Sequence, residues 1–176
     1  MKRYIFGVLV FGLCGLMTSC GYSTRSLLPS GIKTIHIAPF KNRITYTNEK
    51  TPETYIPLLE VKIRNAIADR FLFDGNLKVQ QSEQADLILK GELLSYRRDA
   101  LRYTDNQDVQ EYRISVEVSL KMWDQKRNEL FWEEPSFIGD TTYFVSGPSA
   151  KSETVALEDA LKDLARRVVE RTIEDW

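Results

Sequence analysis

The clearest element in the chain runs from Glu111 to Trp123, where apolar and polar residues alternate as far as Met122. The apolar set is Tyr112, Ile114, Val116, Val118, Leu120 and Met122, and the polar set is Glu111, Arg113, Ser115, Glu117, Ser119 and Lys121. A period of two over this length predicts a long strand that packs one face on a core and presents a polar face on the other side.

Further strands are predicted before this element. Residues 34–40 alternate in the same way, and residues 77–80 (LKVQ) predict a short strand. Residues 85–96 carry apolar side chains on both faces, which is typical of a central strand. Gly91 within this strand indicates a bulge or a close contact with another part of the chain.

A hairpin and a return strand follow. Residues 97–109 are charged and predict a hairpin tip, and residues 124–128 predict a second turn. The return strand begins at residues 130–132 and continues towards residues 143–145. Pro135 breaks it and predicts an edge strand or a bulge, because proline cannot donate to the hydrogen-bond ladder.

Two helices are predicted from apolar stripes of helical period. The first starts at Thr51-Pro52-Glu53 or, because of Pro57, as late as Tyr55 or Ile56, and it ends at Asp74-Gly75-Asn76. The second is capped by Ser149 or Ser152 and runs to the chain end. The order β-α-β-β-β-β-α predicts an α+β fold, a two-layer sandwich in which a mostly antiparallel sheet of four to five strands carries both helices on one face.

The first twenty residues have the features of a signal peptide. Lys2 and Arg3 precede an apolar run that is too short to span a bilayer. Met17-Thr18-Ser19-Cys20 resembles the lipobox of bacterial lipoproteins, in which the cysteine is acylated. That resemblance implies a signal peptide over residues 1–19 and an acylated tether over 20–33. The length and the predicted elements then place a single domain over residues 34–176. The alternative is an ordinary secreted protein with a stray cysteine.

Composition and charge exclude several classes of protein and kinds of site. The 176 residues are 43% apolar, which suits one domain with its own core and excludes a disordered chain. A net charge of −1 argues against a nucleic-acid partner. Cys14 and Cys20 both lie in the first twenty residues, which excludes a cysteine-based metal site in the body of the protein. The residue after Cys20 is glycine rather than aspartate, which favours the outer membrane.

No enzymatic motif stands out in the sequence. His36 is the only histidine, and a lone strand histidine is more often structural than catalytic. Glu133-Glu134 and the pair Asp86 and Glu92 are interpreted as surface carboxylates. Nucleophile-elbow, zinc-protease and phosphate-loop patterns are absent from the sequence. We therefore expect no catalytic residues, no metal and no cofactor.

Two features point to binding. Arg97, Arg98 and Arg102 are the densest basic spot after the leader, and arginine suits phosphate because its planar guanidinium donates two parallel hydrogen bonds. The alternative is a charged tip that prevents aggregation. The polar face of the long strand carries Arg113, Glu117 and Lys121. It is interpreted either as a solvated face with ion pairs or as a face that docks into a hydrophilic concavity.

Taken together, several segments resemble one family, the LPS-assembly lipoproteins called LptE. They are Cys20-Gly21-Tyr22, residues 35–43 (IHIAPFKNR), 85–92 (ADLILKGE), 111–113 (EYR), 130–134 (LFWEE) and 160–170 (ALKDLARRVVE). The similarity covers essentially the whole mature chain in the expected order, although no single segment is diagnostic. The β-α-β start also occurs in other envelope lipoproteins, including activators of peptidoglycan synthases.

The resemblance implies a non-enzymatic outer-membrane lipoprotein on the periplasmic side. Members of the family sit inside the β-barrel LptD, help it to assemble and assist delivery of lipopolysaccharide to the outer leaflet. By this resemblance, the polar face would enter the barrel lumen and the arginines would meet lipid phosphates. The alternative function is activation of a peptidoglycan synthase or of another envelope assembly machine.

Overall fold

The computed structural model describes residues 28, 29, 31–44 and 56–173. Eight elements follow in chain order: β1 (Thr34–Ile37), β2 (Lys41–Asn42), α1 (Leu59–Asp74), β3 (Lys78–Gln80), β4 (Leu87–Tyr103), β5 (Val109–Asp124), β6 (Glu129–Phe144) and α2 (Glu153–Ile173). The predicted signal peptide, Cys20 and the predicted helix start at Thr51 lie outside the described residues.

The strands form one six-stranded sheet in the order β3-β1-β4-β5-β6, and β2 also pairs with β4. β1 is parallel to β3 and to β4, and β2 is parallel to β4, whereas β4, β5 and β6 are antiparallel. The α+β class is confirmed. The prediction of a mostly antiparallel sheet of four to five strands is wrong, since the sheet is mixed and larger. The parallel part arises because α1 connects β1 to β3 as a crossover, which returns the chain to the same end of the sheet.

The alternation predicted for β5 is confirmed. Its apolar residues from Ile114 to Met122 are fully buried, whereas Arg113 before them and Lys121 among them are exposed; Ser115 of the polar set is buried as well. The buried face of the sheet packs against α1 and α2, which also contact each other. The opposite face, which we call the open face, carries the polar residues of β4, β5 and β6. The sheet and the helix pair therefore form two layers around one core.

Helix α1 begins later than the sequence predicts. Leu58 adopts a left-handed backbone with φ of 57°, and the helix starts at Leu59 directly after it. The left-handed residue and Pro57 before it interrupt the helical path, so that Ile56, the one predicted start among the described residues, lies outside helix α1. The predicted end is confirmed: Gly75 has φ of 78°, and its N–H donates to the carbonyl of Phe71 at 3.1 Å.

Three further local predictions are confirmed. A Cβ built on Gly91 would lie 2.1 Å from the Phe40 ring, so this glycine marks the close contact that the sequence indicated. Pro135 lies in β6, which is an edge strand, opposite a register shift between Val118 and Leu120 of β5. The helix α2 is capped by Ser152, whose Oγ accepts a hydrogen bond from the N–H of Val155 at 3.3 Å.

Candidate functional site: the open sheet face

The β4–β5 hairpin is longer than the sequence predicts. β4 continues to Tyr103, and the turn is Thr104–Asp108, where the N–H of Thr104 donates to the carbonyl of Asp108 at 2.8 Å. The three arginines predicted at the tip therefore lie within a strand, where neighbouring side chains point to opposite faces. Which face each arginine occupies then depends on the register of β4.

A bulge in β4 decides this register. The pairing with β5 shifts between Leu93 and Ser95, after which Ser95 pairs with Glu117, Arg97 with Ser115 and Arg98 with Ile114. Ser115 and Glu117 belong to the open face, whereas Ile114 is buried beneath the helices. Arg97 therefore lies on the open face and Arg98 on the packed face, so the structure separates two residues that the sequence analysis grouped.

The Arg98 side chain contacts other residues of the domain. Its guanidinium donates to Glu153 at the first turn of α2, and it lies 4.8 Å from the centroid of the Tyr112 ring. The hydroxyl of Tyr96 donates to the other carboxylate oxygen of Glu153 at 2.8 Å. Burial alone would lower the pKa of Arg98, but the charge and the hydrogen bond of Glu153 raise it. Glu153 thus joins α2 to the hairpin, a role that no local sequence pattern indicates.

Arg97 and Arg102 are differently placed. Arg97 is exposed and forms no hydrogen bond or ion pair with the described residues. Arg102 lies 3.5 Å from a carboxylate oxygen of Glu111, and its guanidinium lies 5.8 Å from the centroid of the Phe144 ring. Of the three arginines, Arg97 is the one whose guanidinium has the most freedom to bind a ligand.

The open face carries three polar groups along β5, which we call the open-face network. Arg113 lies 3.7 Å from Asp140, and Lys121 lies 2.8 Å from Glu133, both acids being on β6. Successive members of the series Arg113, Glu117 and Lys121 are four positions apart, so the groups are about 13 Å apart along the strand. The polar side chains that the sequence placed on one face do lie on one face.

Glu117 is held by two serines that the sequence analysis did not single out. Its carboxylate accepts hydrogen bonds from Ser136 at 2.6 Å and from Ser95 at 3.1 Å. The pKa of Glu117 is lowered, mainly by the Ser136 hydrogen bond, with help from Ser95 and from the charge of Arg97 and against the opposing effect of burial. Ser95 reaches Glu117 because of the β4 bulge, which the residue pattern does not reveal.

Lys121 is likewise fixed in its charged form. The hydrogen bond to Glu133, and the charge of that carboxylate, raise the pKa of Lys121. The network is therefore charged at neutral pH, and its members are partnered within the chain. Among the described residues, no three His, Cys, Asp or Glu side chains are grouped so that they could hold a metal ion. Neither described helix has the length and apolar character that a membrane span requires.

Fold and surface together define a two-layer α+β domain with a charged sheet face opposite its helices. A family model described as LptE, Lipopolysaccharide-assembly, matches residues 32–172. The chain belongs to the LptE family, as the sequence segments indicated.

Solved structures share this fold at low sequence identity. The hypothetical protein CT253 from Chlamydia trachomatis is 17% identical, with 80% of this chain and 95% of that chain covered and a TM-score of 0.54. A PelC dodecamer from Paraburkholderia phytofirmans is 15% identical, with 85% and 95% covered and a TM-score of 0.51. Protein XCC0632 from Xanthomonas campestris is 15% identical, with 82% and 85% covered and a TM-score of 0.52. No curated protein matches the chain.

Proposed function

We propose that this chain is a non-enzymatic outer-membrane lipoprotein on the periplasmic side, which plugs and helps to assemble the LptD β-barrel and assists lipopolysaccharide delivery. In this proposal residues 1–19 are removed, Cys20 carries the acyl chains and residues 34–176 act as one domain. Membership of the LptE family supports the role in lipopolysaccharide assembly. Several acyl chains on one cysteine would give a lasting anchor, which a single chain does not.

The open-face network is the observation that carries the plug proposal. Arg113 and Lys121 each have an acidic partner on β6, and the carboxylate of Glu117 is satisfied by two hydroxyls. The charges of this network already have partners within the chain, so the network can enter a hydrophilic lumen without leaving an uncompensated charge of its own, which would be costly to bury. The side chains of the network are also polar. The network is therefore better suited to contact a water-filled barrel interior than to contact an apolar surface of a partner.

The arginines of the hairpin are the proposed contact for lipid phosphate. Arg97, Arg98 and Arg102 were grouped by sequence, and the geometry favours Arg97, which is exposed on the open face without an ion pair among the described residues. Arg102 can contribute if it leaves Glu111. Arg98 contributes chiefly by holding the hairpin to α2 through Glu153.

The experiment that tests the proposal is identification of the partner in native outer membranes. A tagged full-length chain is purified after mild solubilisation, and its partners are identified by mass spectrometry. We expect one large β-barrel, LptD, in near-stoichiometric amount. Recovery of a peptidoglycan synthase instead would support the activator alternative, and recovery of neither would refute the plug proposal.

The anchor is tested separately. Cys20→Ala should move the chain from the membrane fraction to the soluble periplasm, because the thiol that carries the acyl chains is absent. Cys14→Ala is the matched control, since this residue lies within the proposed signal peptide and should leave fractionation unchanged. A Cys20→Ala chain that stays membrane-bound would refute the anchor.

A further inference from the structure

The last turn of α1 exposes two large apolar side chains in succession. Leu72 is 63% exposed and Phe73 is 82% exposed, whereas Phe71 beside them is fully buried. The guanidinium of Arg70 lies 5.4 Å from the centroid of the Phe73 ring. Single exposed apolar residues are common on protein surfaces, but an adjacent leucine and phenylalanine with an arginine over the ring form a patch. We call Arg70, Leu72 and Phe73 the α1-end patch.

This patch lies at the end of the molecule where the N-terminal segment joins the domain. α1 ends at Asp74, and after the turn at Gly75 β3 begins at Lys78, which pairs with Thr34 at the start of β1. The carbonyl of Gly31 accepts a hydrogen bond from Lys126 in the β5–β6 turn, at the same end. The hairpin turn at Thr104–Asp108 lies at the far end of β4.

The segment before β1 is short and is already fixed to the domain. Ile32 is buried in the core, and Leu28 packs against the core. If Cys20 carries the lipid, as the proposed function holds, eight residue steps separate it from Leu28. Eight extended residues span at most about 28 Å. The end of the domain that bears the α1-end patch is therefore held close to the bilayer.

We propose that the α1-end patch contacts the lipid surface and inserts Leu72 and Phe73 into the interfacial region of the leaflet that holds the acyl chains. The inference rests on the proposed acylation of Cys20. Exposed apolar side chains that are held at a bilayer enter the boundary between headgroups and acyl chains, while neighbouring cations remain among the phosphates. Arg70 is the neighbouring cation that would remain among the phosphates, and the exposed Lys33 and Lys78 lie at the same end of the domain.

The acylated full-length chain, purified from membranes, provides the test. An environment-sensitive fluorophore is attached to a cysteine introduced by Phe73→Cys, and the chain is reconstituted into vesicles of phosphatidylethanolamine and phosphatidylglycerol. Tyr103→Cys, an exposed aromatic position at the far end of the hairpin, is the matched control. Brominated lipids in the same vesicles report contact with acyl chains by quenching.

We expect quenching and a blue shift at position 73 and neither at position 103, with Leu72→Ser reducing the quenching. A probe at position 73 that stays in water while the chain floats with the vesicles overturns the contact and leaves the anchor standing. Burial of the probe in native outer membranes but not in lipid vesicles would assign the patch to a protein partner and overturn the lipid contact. A chain that fails to float refutes the acyl anchor, and the contact fails with it.

Discussion

Gly139 of β6 lies directly beneath Leu164 of α2. A Cβ built on Gly139 would lie 2.4 Å from the Cβ of Leu164 and 2.8 Å from the carbonyl oxygen of Ala160. The absence of a side chain on the sheet thus allows the helix to approach, and this contact sets the spacing of the two layers where α2 crosses the sheet.

Gly139→Ala should therefore destabilise the protein. The added methyl group meets helix backbone, which cannot yield as the end of a flexible side chain would. Overpacking of this kind costs about 1 to 3 kcal/mol. Urea denaturation followed by circular dichroism measures it, with Thr142→Ala at an exposed position of the same strand as control. Equal stability of the two variants would contradict the close packing.

Arg98 and Arg97 should differ in their effect on stability. Arg98→Ala removes the ion pair with Glu153 and the contact with the Tyr112 ring, and we expect a loss of about 1 kcal/mol because the pair is partly exposed. Arg97→Ala should leave the melting temperature unchanged within error. Thermal denaturation of both variants measures the change in melting temperature. A larger loss for Arg97→Ala would mean that the β4 register is different from the one described.

Asp86 should give the protein an acid-sensitive stability. Burial by itself would raise the pKa of Asp86, but hydrogen bonds from Lys126, from the N–H groups of Lys33 and Thr34 and from the Thr34 hydroxyl lower it to about 2. The side chain is only 14% exposed. Because the folded pKa lies below the ordinary 3.8, the stabilisation is present above pH 4 and is lost as the pH falls towards 2. It amounts to about 2 kcal/mol.

The comparison of Asp86→Asn with Glu83→Gln tests this contribution. Asp86→Asn should be less stable than the natural chain at pH 7, and the difference should shrink between pH 4 and pH 2. Glu83 is exposed, so Glu83→Gln should follow the natural chain at every pH. The urea midpoint of each chain is measured at several pH values. A difference in midpoint between Asp86→Asn and the natural chain that stayed constant over this range would contradict the lowered pKa of Asp86.

A bulky charge on the open face should block assembly with LptD. Ser119 lies on this face, opposite Glu92 of β4. Ser119→Arg should lower recovery of the barrel several-fold in the purification from native membranes, while the circular dichroism spectrum stays unchanged. Ser82→Arg in the exposed loop before β4 is the control. Undiminished recovery with Ser119→Arg would contradict entry of this face into the barrel.

Lipopolysaccharide binding should depend on Arg97 more than on its neighbours. Arg97→Ala removes an exposed guanidinium that can donate two hydrogen bonds to a phosphate. Lys90→Ala removes an exposed cation from the same strand and face, and it controls for general charge. Binding is measured on immobilised lipopolysaccharide with the folded variants. If both variants bind as the natural chain does, and the Arg97/Arg102 double alanine variant does too, the phosphate contact is refuted.

Much of the fold could be predicted from the sequence because local periodicity reports local structure. The alternation from Tyr112 to Met122 identified the packed face of β5, and Gly75 and Ser152 marked helix ends that the structure contains. Pro135 marked the edge strand. These features depend on residues a few positions apart, so the sequence alone is enough to find them.

The candidate site was less predictable, for a physical reason. Arg97 and Arg98 lie side by side in the chain and on opposite faces of the sheet, and the bulge between Leu93 and Ser95 determines which arginine faces the helices. A shift of one residue exchanges every side chain between the two faces. No local sequence pattern predicts the position of that bulge or the pairing of Arg98 with Glu153.

The sequence by itself determined that two helices and long strands are present, which faces of β5 are apolar and polar, and the family. Only the tertiary structure decided that β1 and β2 run parallel to β4, that Ser95 and Ser136 hold Glu117, and that Leu72 and Phe73 lie exposed where the N-terminal segment joins the domain. Strand pairing and exposure depend on contacts between residues far apart in the chain. A residue's own neighbours in sequence therefore do not fix them.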